Sequence, residues 1–175
     1  ACCTFIKSKE ADTEQIHKVI HGTDGSGAKH LIVPHGGHKN PIDELSFIEE
    51  VDASKNVRSP SNLFMNGAAI YTFTLTKIPK IFNQILESNN LSIDDLDLVI
   101  FHQANKFILD AMQRKLKIPD EKMHRSYMEY GNTVSSTIPI GIKIEQDAKD
   151  ETEKRIALIL GFGVGLSWAG TIIRF

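Results

Sequence analysis

The chain of 175 residues has the composition of a folded protein, with 41% hydrophobic and 24% charged residues. This length favours one domain that is large enough to enclose its own core. A formal net charge of −2 argues against a protein that binds nucleic acid mainly through phosphate contacts. The only cysteines, Cys2 and Cys3, are adjacent and make no disulfide framework, which favours a reducing, cytoplasmic location.

The beginning of the chain has strand patterns. Residues 2–7 are predicted to form a buried strand. This strand would begin directly after Ala1, without a methionine or a preceding turn. We therefore interpret the sequence as a fragment of a longer chain. Further strand patterns lie at residues 15–21 and 30–33, on either side of the glycine-rich turn 23–27.

The next segment changes from loop to helix to strand. Residues 34–62 predict a long loop, and long loops in compact domains are often lids or binding loops. Residues 68–86 have helical periodicity, with a kink or a new helix start predicted at Pro79. Residues 97–101 predict a short buried strand.

Two further helices and two strands complete the predicted fold. The first helix follows residues 102–105 and runs to about Leu116, with Phe107 on its apolar face; the second covers residues 135–148. The last strands, 155–160 and 166–175, are closely joined. We therefore predict an α/β fold with a mixed sheet flanked by helices.

The final apolar stretch is long enough for a transmembrane helix. It covers residues 156–173 and is uncharged throughout. Four glycines inside it would each destabilise a helix by about 1 kcal/mol relative to alanine. Two strands around a glycine-rich turn explain the pattern better, and no membrane partner is predicted.

Two polar residues are candidates for chemistry. His102 directly follows an apolar strand, and ligands of open α/β sheets bind at that edge; position alone also allows an ordinary surface histidine. Asn132, between Gly131 and Thr133, could be a turn residue in a left-handed conformation. Its side-chain amide could instead donate a hydrogen bond to a developing negative charge without titrating.

Other local patterns are weaker. The sequence Gly161–Gly165 lacks the following helix of a dinucleotide-binding loop, so it predicts a tight turn with backbone N–H groups near a substrate, or a plain hairpin turn. His17 and His21, like His35 and His38, have spacings that could hold a metal on a helix. Neither pair is in a helical pattern or near other ligands, so no metal site is predicted.

Six motifs follow one another along the chain: residues 21–25 (HGTDG), 65–67 (MNG), 102–105 (HQAN), 131–133 (GNT), 161–168 (GFGVGLSW) and the final Arg174-Phe175. In this order they resemble the C-terminal half of beta-ketoacyl-acyl-carrier-protein synthase III in the thiolase superfamily. The resemblance covers nearly the whole chain and implies a thiolase-like half-fold.

This resemblance implies roles for the candidate residues. The family condenses an acyl-coenzyme A with a malonyl thioester on acyl carrier protein, and His102 and Asn132 would both donate hydrogen bonds to the enolate oxygen. The backbone N–H of Val164 would be a second oxyanion donor. Four residues would contact the substrates. Phe162 would border the acyl pocket, and the pantetheine tunnel would be lined by Gly67, Tyr71 and Asn105.

The resemblance also implies partners. Acyl carrier protein would dock on basic residues of the helix after His102, namely Lys106, Arg114 and Lys117, although a solvated helix face is the alternative. The nucleophilic cysteine belongs to an N-terminal half that this sequence lacks, so the fragment alone is expected to be inactive. The full-length protein is expected to be a homodimer that needs no metal or other cofactor.

Three other functions stay open. A related thiolase-fold synthase of the polyketide or quinolone type would share the histidine and asparagine. A non-catalytic acyl or coenzyme A binding module would keep the tunnel without the nucleophile. A purely structural α/β domain would need neither.

Overall fold

The computed structural model describes residues 2–8, 10, 13–52, 54–148, 150 and 153–175. In chain order its strands are β1 (Ile20–Thr23), β2 (Leu31–Ile32), β3 (Glu50–Val51), β4 (Val57–Arg58), β5 (Phe64–Met65), β6 (Leu98–Phe101), β7 (Ile156–Gly163) and β8 (Ser167–Arg174). Its α-helices are α1 (Gly67–Thr76), α2 (Ile78–Ser88), α3 (Lys106–Leu116), α4 (Tyr127–Tyr130) and α5 (Thr137–Asp147).

The main sheet has four strands in the order β1-β8-β7-β6. β6 and β7 are parallel, whereas β8 is antiparallel to both β7 and β1. Strands β2 and β5 form one small pair and β3 and β4 another, the latter inside the segment predicted to be a long loop. A mixed sheet flanked by helices confirms the predicted fold class.

The core lies on both faces of β6, whose four residues are all buried. Because side chains alternate along a strand, Val99 and Phe101 pack in one cluster with residues of α1, α2 and α3. Leu98 and Ile100 pack on the opposite face with residues of α5. The strand is therefore held from both sides, and its carboxyl end has a rigid position.

The predicted break in the first helical segment is confirmed. α1 ends at Thr76 and α2 begins at Ile78, with Pro79 in the first turn of α2, where the missing N–H costs no hydrogen bond. α5 begins at Thr137, two residues later than predicted, and contains Pro139 in its first turn. Both prolines therefore mark helix starts.

The C-terminal apolar stretch forms the β7–β8 hairpin, as predicted. β7 continues through Gly161 to Gly163, so the turn is shorter than the glycine pattern suggested. Across the residues that the structure describes, no helix combines the length and the apolar character needed to cross a membrane.

Three local expectations were wrong. Residues 2–7 form no strand and are exposed, with Phe5 94% exposed, because an apolar run becomes a strand only where a partner strand completes its hydrogen bonds. In the 15–21 segment, only Ile20 and His21 belong to β1. Phe107, which was predicted on the apolar face of its helix, is 64% exposed, whereas Leu109 of the same helix is fully buried in the core.

Candidate active site

His102 lies at the carboxyl end of β6, as the sequence predicts. Its backbone N–H donates to the carbonyl of Leu160 on β7 at 3.0 Å, which extends the pairing of the two parallel strands by one residue. The imidazole is half-buried, and its ring contacts Phe162 edge-on with the ring centres 5.7 Å apart. Strand pairing thus fixes the backbone position of His102, and the contact with Phe162 restricts the rotation of its ring.

The surroundings of His102 favour the neutral imidazole. Burial lowers the pKa of His102, and a hydrogen bond to the backbone of Val134 opposes this in part. The inner ring nitrogen, Nδ1, lies 2.8 Å from the hydroxyl oxygen of Thr137. Since Thr137 is buried behind the ring, Nε2 is the nitrogen left for a ligand.

The amide of Asn132 has a defined orientation. Gly131, with φ of +66°, turns the chain after α4, and Asn132 follows it. The backbone N–H of Val134 donates to Asn132 Oδ1 at 2.9 Å. Because the carbonyl oxygen of the amide is thereby occupied, its NH₂ group is the part available to a ligand.

One cavity of about 350 Å³ brings the predicted residues together. Apolar side chains make up most of its wall, including Ile70, Phe73 and Ile108. The residues of the sequence-based site prediction that line it are His102, Asn132, Asn105, Gly67, Tyr71 and Phe162. His102 and Asn132 are thus two neutral hydrogen-bond donors in an apolar cavity. Such donors suit a ligand oxygen that is uncharged at first and acquires negative charge during a reaction.

Val164 lies outside this cavity wall. The wall includes Phe162 and Gly163, whereas Val164 occupies the β7–β8 turn and is 64% exposed. Its backbone role as an oxyanion donor stays a prediction.

Asn105 has a structural function as well as a place in the cavity. Its Oδ1 accepts a hydrogen bond from the backbone N–H of Ile108 at 2.9 Å and so caps the N-terminus of α3. Next to it, the rings of Tyr71 and Phe107 are stacked with centres 5.0 Å apart. This stack joins α1 to α3 at the cavity.

The predicted basic residues of α3 are exposed. Lys106 forms an ion pair with Asp110 one turn later at 2.6 Å, which reduces its net effect on a partner. Arg114 lies in the last turn of α3, and Lys117 follows directly as the C-cap. All three basic side chains are accessible to a partner, and their role in docking stays a prediction.

The histidine pairs have ordinary partners. His17 Nδ1 lies 3.2 Å from Asn89 Oδ1, and His35 Nδ1 lies 2.9 Å from the Ser46 hydroxyl. Among the described residues, no group of three or more His, Cys, Asp or Glu side chains is placed to hold a metal ion.

A charged cleft of about 520 Å³, which sequence patterns did not indicate, lies at the opposite end of β6. There, buried His124 lies 2.7 Å from Glu145, which also pairs with Arg155 at 2.8 Å. These side chains pair with one another, so we interpret the cleft as structural.

Sequence patterns also did not indicate Thr137 and Val134 as neighbours of the site. Threonine is common in the first turn of a helix, so the residue type alone did not mark Thr137. Only its position five residues after the candidate Asn132 could have indicated a role in the site. The left-handed conformation of Val134, with φ of +56°, is unusual for a β-branched residue and leaves no trace in the sequence.

Comparison with solved structures defines the class of protein. The chain aligns with a crystal structure of a 3-oxoacyl-(acyl-carrier-protein) synthase III at a TM-score of 0.91 and 38% identity, over 96% of this chain and 50% of that one. The fold is therefore the thiolase-like fold of condensing enzymes.

Sequence comparison then gives the family. Residues 86–175, just over half of the chain, match the model of the 3-oxoacyl-[acyl-carrier-protein (ACP)] synthase III C-terminal family, and the chain belongs to this family. It is 36% identical to a beta-ketoacyl-[acyl-carrier-protein] synthase III of Synechocystis over 87% of its length, and 35% identical to that of Microcystis aeruginosa over 76%.

The chain matches only part of each relative. The matched regions cover 44% of the Synechocystis protein and 39% of the Microcystis protein, so the chain spans less than half the length of these curated relatives.

Proposed function

We propose that this chain supplies the enolate-stabilising half of the active site of a beta-ketoacyl-acyl-carrier-protein synthase III. The enzyme would condense an acyl-coenzyme A with malonyl-acyl carrier protein at the start of fatty acid synthesis. The observation that carries the proposal is the pair His102 and Asn132 in one apolar cavity, with the amide oxygen of Asn132 occupied by a backbone N–H. Family membership and the names of the relatives support it.

The proposed reaction has two stages. An acyl group first moves from coenzyme A to a cysteine thiolate in the other half of the protein, and coenzyme A leaves. The bond to the malonyl carboxylate then breaks, carbon dioxide leaves, and the electron pair moves to the thioester carbonyl to form an enolate. The enolate carbon attacks the cysteine-bound acyl carbon, and the thiolate leaves.

The part of this chain is to stabilise the enolate oxygen. Its negative charge develops only as carbon dioxide leaves, so fixed donors aimed at it stabilise the transition state more than the bound substrate. A neutral His102 suits this role because an imidazolium would also form an ion pair with the malonyl carboxylate and stabilise the substrate. The apolar wall strengthens both hydrogen bonds.

The substrates and partners follow from this reaction. They are an acyl-coenzyme A, a malonyl group on the phosphopantetheine of acyl carrier protein, and a cysteine-bearing half. We further propose a homodimer in the cytoplasm. The reaction as proposed draws its driving force from the loss of carbon dioxide and needs no metal or redox cofactor.

The test uses the full-length protein, by which we mean the protein that carries this chain together with the cysteine-bearing half. Incubated with acetyl-coenzyme A and malonyl-acyl carrier protein, it should form acetoacetyl-acyl carrier protein, detected by mass spectrometry. Tight binding of both thioesters without product would instead favour an acyl-binding module.

A further inference from the structure

The hydrogen-bond pattern behind His102 raises the question of which ring nitrogen carries the proton. A neutral imidazole has one N–H. To donate a hydrogen bond into the cavity, His102 must carry its proton on Nε2, and Nδ1 must then accept a hydrogen bond. The group that faces Nδ1 therefore decides whether His102 can act as a donor at all.

Two groups lie on the inner side of the His102 ring, the Thr137 hydroxyl and the carbonyl of Val134, and the hydrogen bond with that carbonyl partly opposes the fall in the pKa of His102. The hydroxyl oxygen of Thr137 lies 2.8 Å from Nδ1 and 3.0 Å from the carbonyl oxygen of Val134. The hydroxyl has one proton for these two acceptors. If the proton points to Nδ1, Nε2 carries the imidazole hydrogen; if it points to Val134, Nδ1–H donates to the threonine oxygen and Nε2 is bare.

We propose that Thr137 is a positioning residue that donates its hydroxyl proton to Nδ1 and thereby holds His102 as the tautomer with hydrogen on Nε2. This proposal rests on the proposed function and names how its histidine donor is prepared. When the enolate forms, its negatively charged oxygen accepts a hydrogen bond from Nε2–H. This stabilises the tautomer with hydrogen on Nε2 and therefore favours donation from the Thr137 hydroxyl to Nδ1.

Val134 links the two donors of the site. Its N–H orients the amide of Asn132, and its carbonyl competes for the Thr137 proton on the His102 side. The positive φ of Val134 is disfavoured for a β-branched side chain, and Val134 begins the 3₁₀ turn Val134–Ser136 that leads into α5. One peptide segment thus sets the direction of both hydrogen bonds that the enolate would receive.

The effect of pH on His102 distinguishes this role from packing. Tyr71 is the only other titratable side chain among the described residues that line the cavity, and none of them is charged. The charged residues on the neighbouring elements mostly pair with one another: Glu145 of α5 with Arg155 before β7 at the far end of the sheet, Lys143 with Asp147 on α5, and Lys106 with Asp110 on α3. Arg114 and Lys115 lie in the last turn of α3, the end away from the cavity. The titration of His102 therefore reports on its own ring.

The experiment compares Thr137→Val and Thr137→Ser in the full-length protein, with malonyl-thioester decarboxylation measured against pH. In Thr137→Val the Val134 carbonyl is the acceptor left near Nδ1, so the hydrogen moves to Nδ1 and Nε2 loses it. At pH 7.5 we expect kcat to fall by about 10²-fold, the loss of one oxyanion donor, with little change in KM.

Acid should restore the donor. As pH falls and the imidazole becomes protonated, both nitrogens carry hydrogen, so the ratio of the Thr137→Val rate to the parent rate should rise towards one. Thr137→Ser, which keeps the hydroxyl, should follow the parent profile. Thr171→Val is the matched control, since it removes a buried hydroxyl that donates to the His17 carbonyl at 2.8 Å, away from the cavity.

Other outcomes overturn the proposal. A loss in Thr137→Val that is the same at every pH, or no loss, would mean that Thr137 only packs. Nitrogen-15 NMR of His102 in the parent gives a second test that needs no variant, and a resting tautomer with hydrogen on Nδ1 would also overturn it. If instead the parent does not decarboxylate, or His102→Ala keeps the rate, the proposed function itself fails.

Discussion

His102 and Asn132 are suited to one oxygen atom because neither needs a charge to donate a hydrogen bond. Burial lowers the pKa of His102, which favours the neutral imidazole at pH 7. The Asn132 amide does not titrate, and its oxygen is held by the Val134 N–H. Substitution of either side chain therefore removes a donor without removing a charge.

In the full-length protein, we expect His102→Ala and Asn132→Ala each to slow malonyl decarboxylation by about 10²- to 10³-fold, the cost of one oxyanion donor. Acyl transfer to the cysteine should change much less, because the enolate forms only in the second stage. Rapid-quench measurement of each half-reaction separates the two effects. Asn83→Ala, on the exposed side of α2, is the control. Equal loss in both half-reactions would contradict the assigned roles.

Asn105 allows two functions of one side chain to be separated. Asn105→Ala removes the cap of α3 and should lower the free energy of unfolding by about 1 kcal/mol. Asn105→Asp keeps an oxygen for the Ile108 N–H, so stability should be retained, while the NH₂ group that could bind the pantetheine chain is lost. Denaturant unfolding and the KM for acyl-coenzyme A provide the two readouts. A wild-type KM in Asn105→Asp would mean that Asn105 is only a cap.

At the scale of elements, α3 connects the cavity to the protein surface. Asn105 starts it, Phe107 stacks on Tyr71 of α1, and buried Leu109 and Met112 anchor its opposite side in the core. Its basic side chains are therefore carried on a rigid element that begins at the cavity. This arrangement is what a carrier protein delivering a thioester would need.

Charge reversal on α3 tests the docking. We expect Lys106→Glu with Arg114→Glu in the full-length protein to raise the KM for malonyl-acyl carrier protein several-fold, most strongly at low salt, because such charges mainly set the association rate. The acyl-coenzyme A half-reaction should be nearly unchanged. Lys80→Glu with Lys143→Glu, on α2 and α5, makes the same change in net charge and serves as the control. A similar KM in both double variants would contradict docking on α3.

On the scale of the whole molecule, the chain carries half of the proposed reaction machinery. The proposed enolate donors, His102 and Asn132, line one cavity, whereas Cys2 and Cys3 are exposed near the start of the chain, in a segment without regular structure. Condensation requires the acyl and enolate carbons to be held together. The nucleophile must therefore come from outside the site described.

The 175-residue chain by itself should not become acylated. After incubation with radiolabelled acetyl-coenzyme A, we expect no stoichiometric covalent label, which scintillation counting of the precipitated protein would measure. The full-length protein under the same conditions is the positive control. Stoichiometric label on Cys2 or Cys3 that chases into product would contradict the division of the active site.

The sequence by itself determined the elements whose causes are local. The apolar run of β6, the periodicity of α1 to α3 and the proline at the start of α2 each specify their structure through neighbouring residues. The motifs around His102 and Asn132, taken with the other motifs in their order along the chain, identified the family. They also named six residues that the structure places around one cavity.

Only the tertiary structure decided which groups those residues contact. His102 and Thr137 are 35 residues apart, and their contact exists because α5 packs against β6. Val134 adopts a left-handed conformation, and residues 2–7 remain without a partner strand despite a strand-like pattern. Hydrogen-bond partners and strand pairing depend on distant residues, and sequence patterns report only near neighbours.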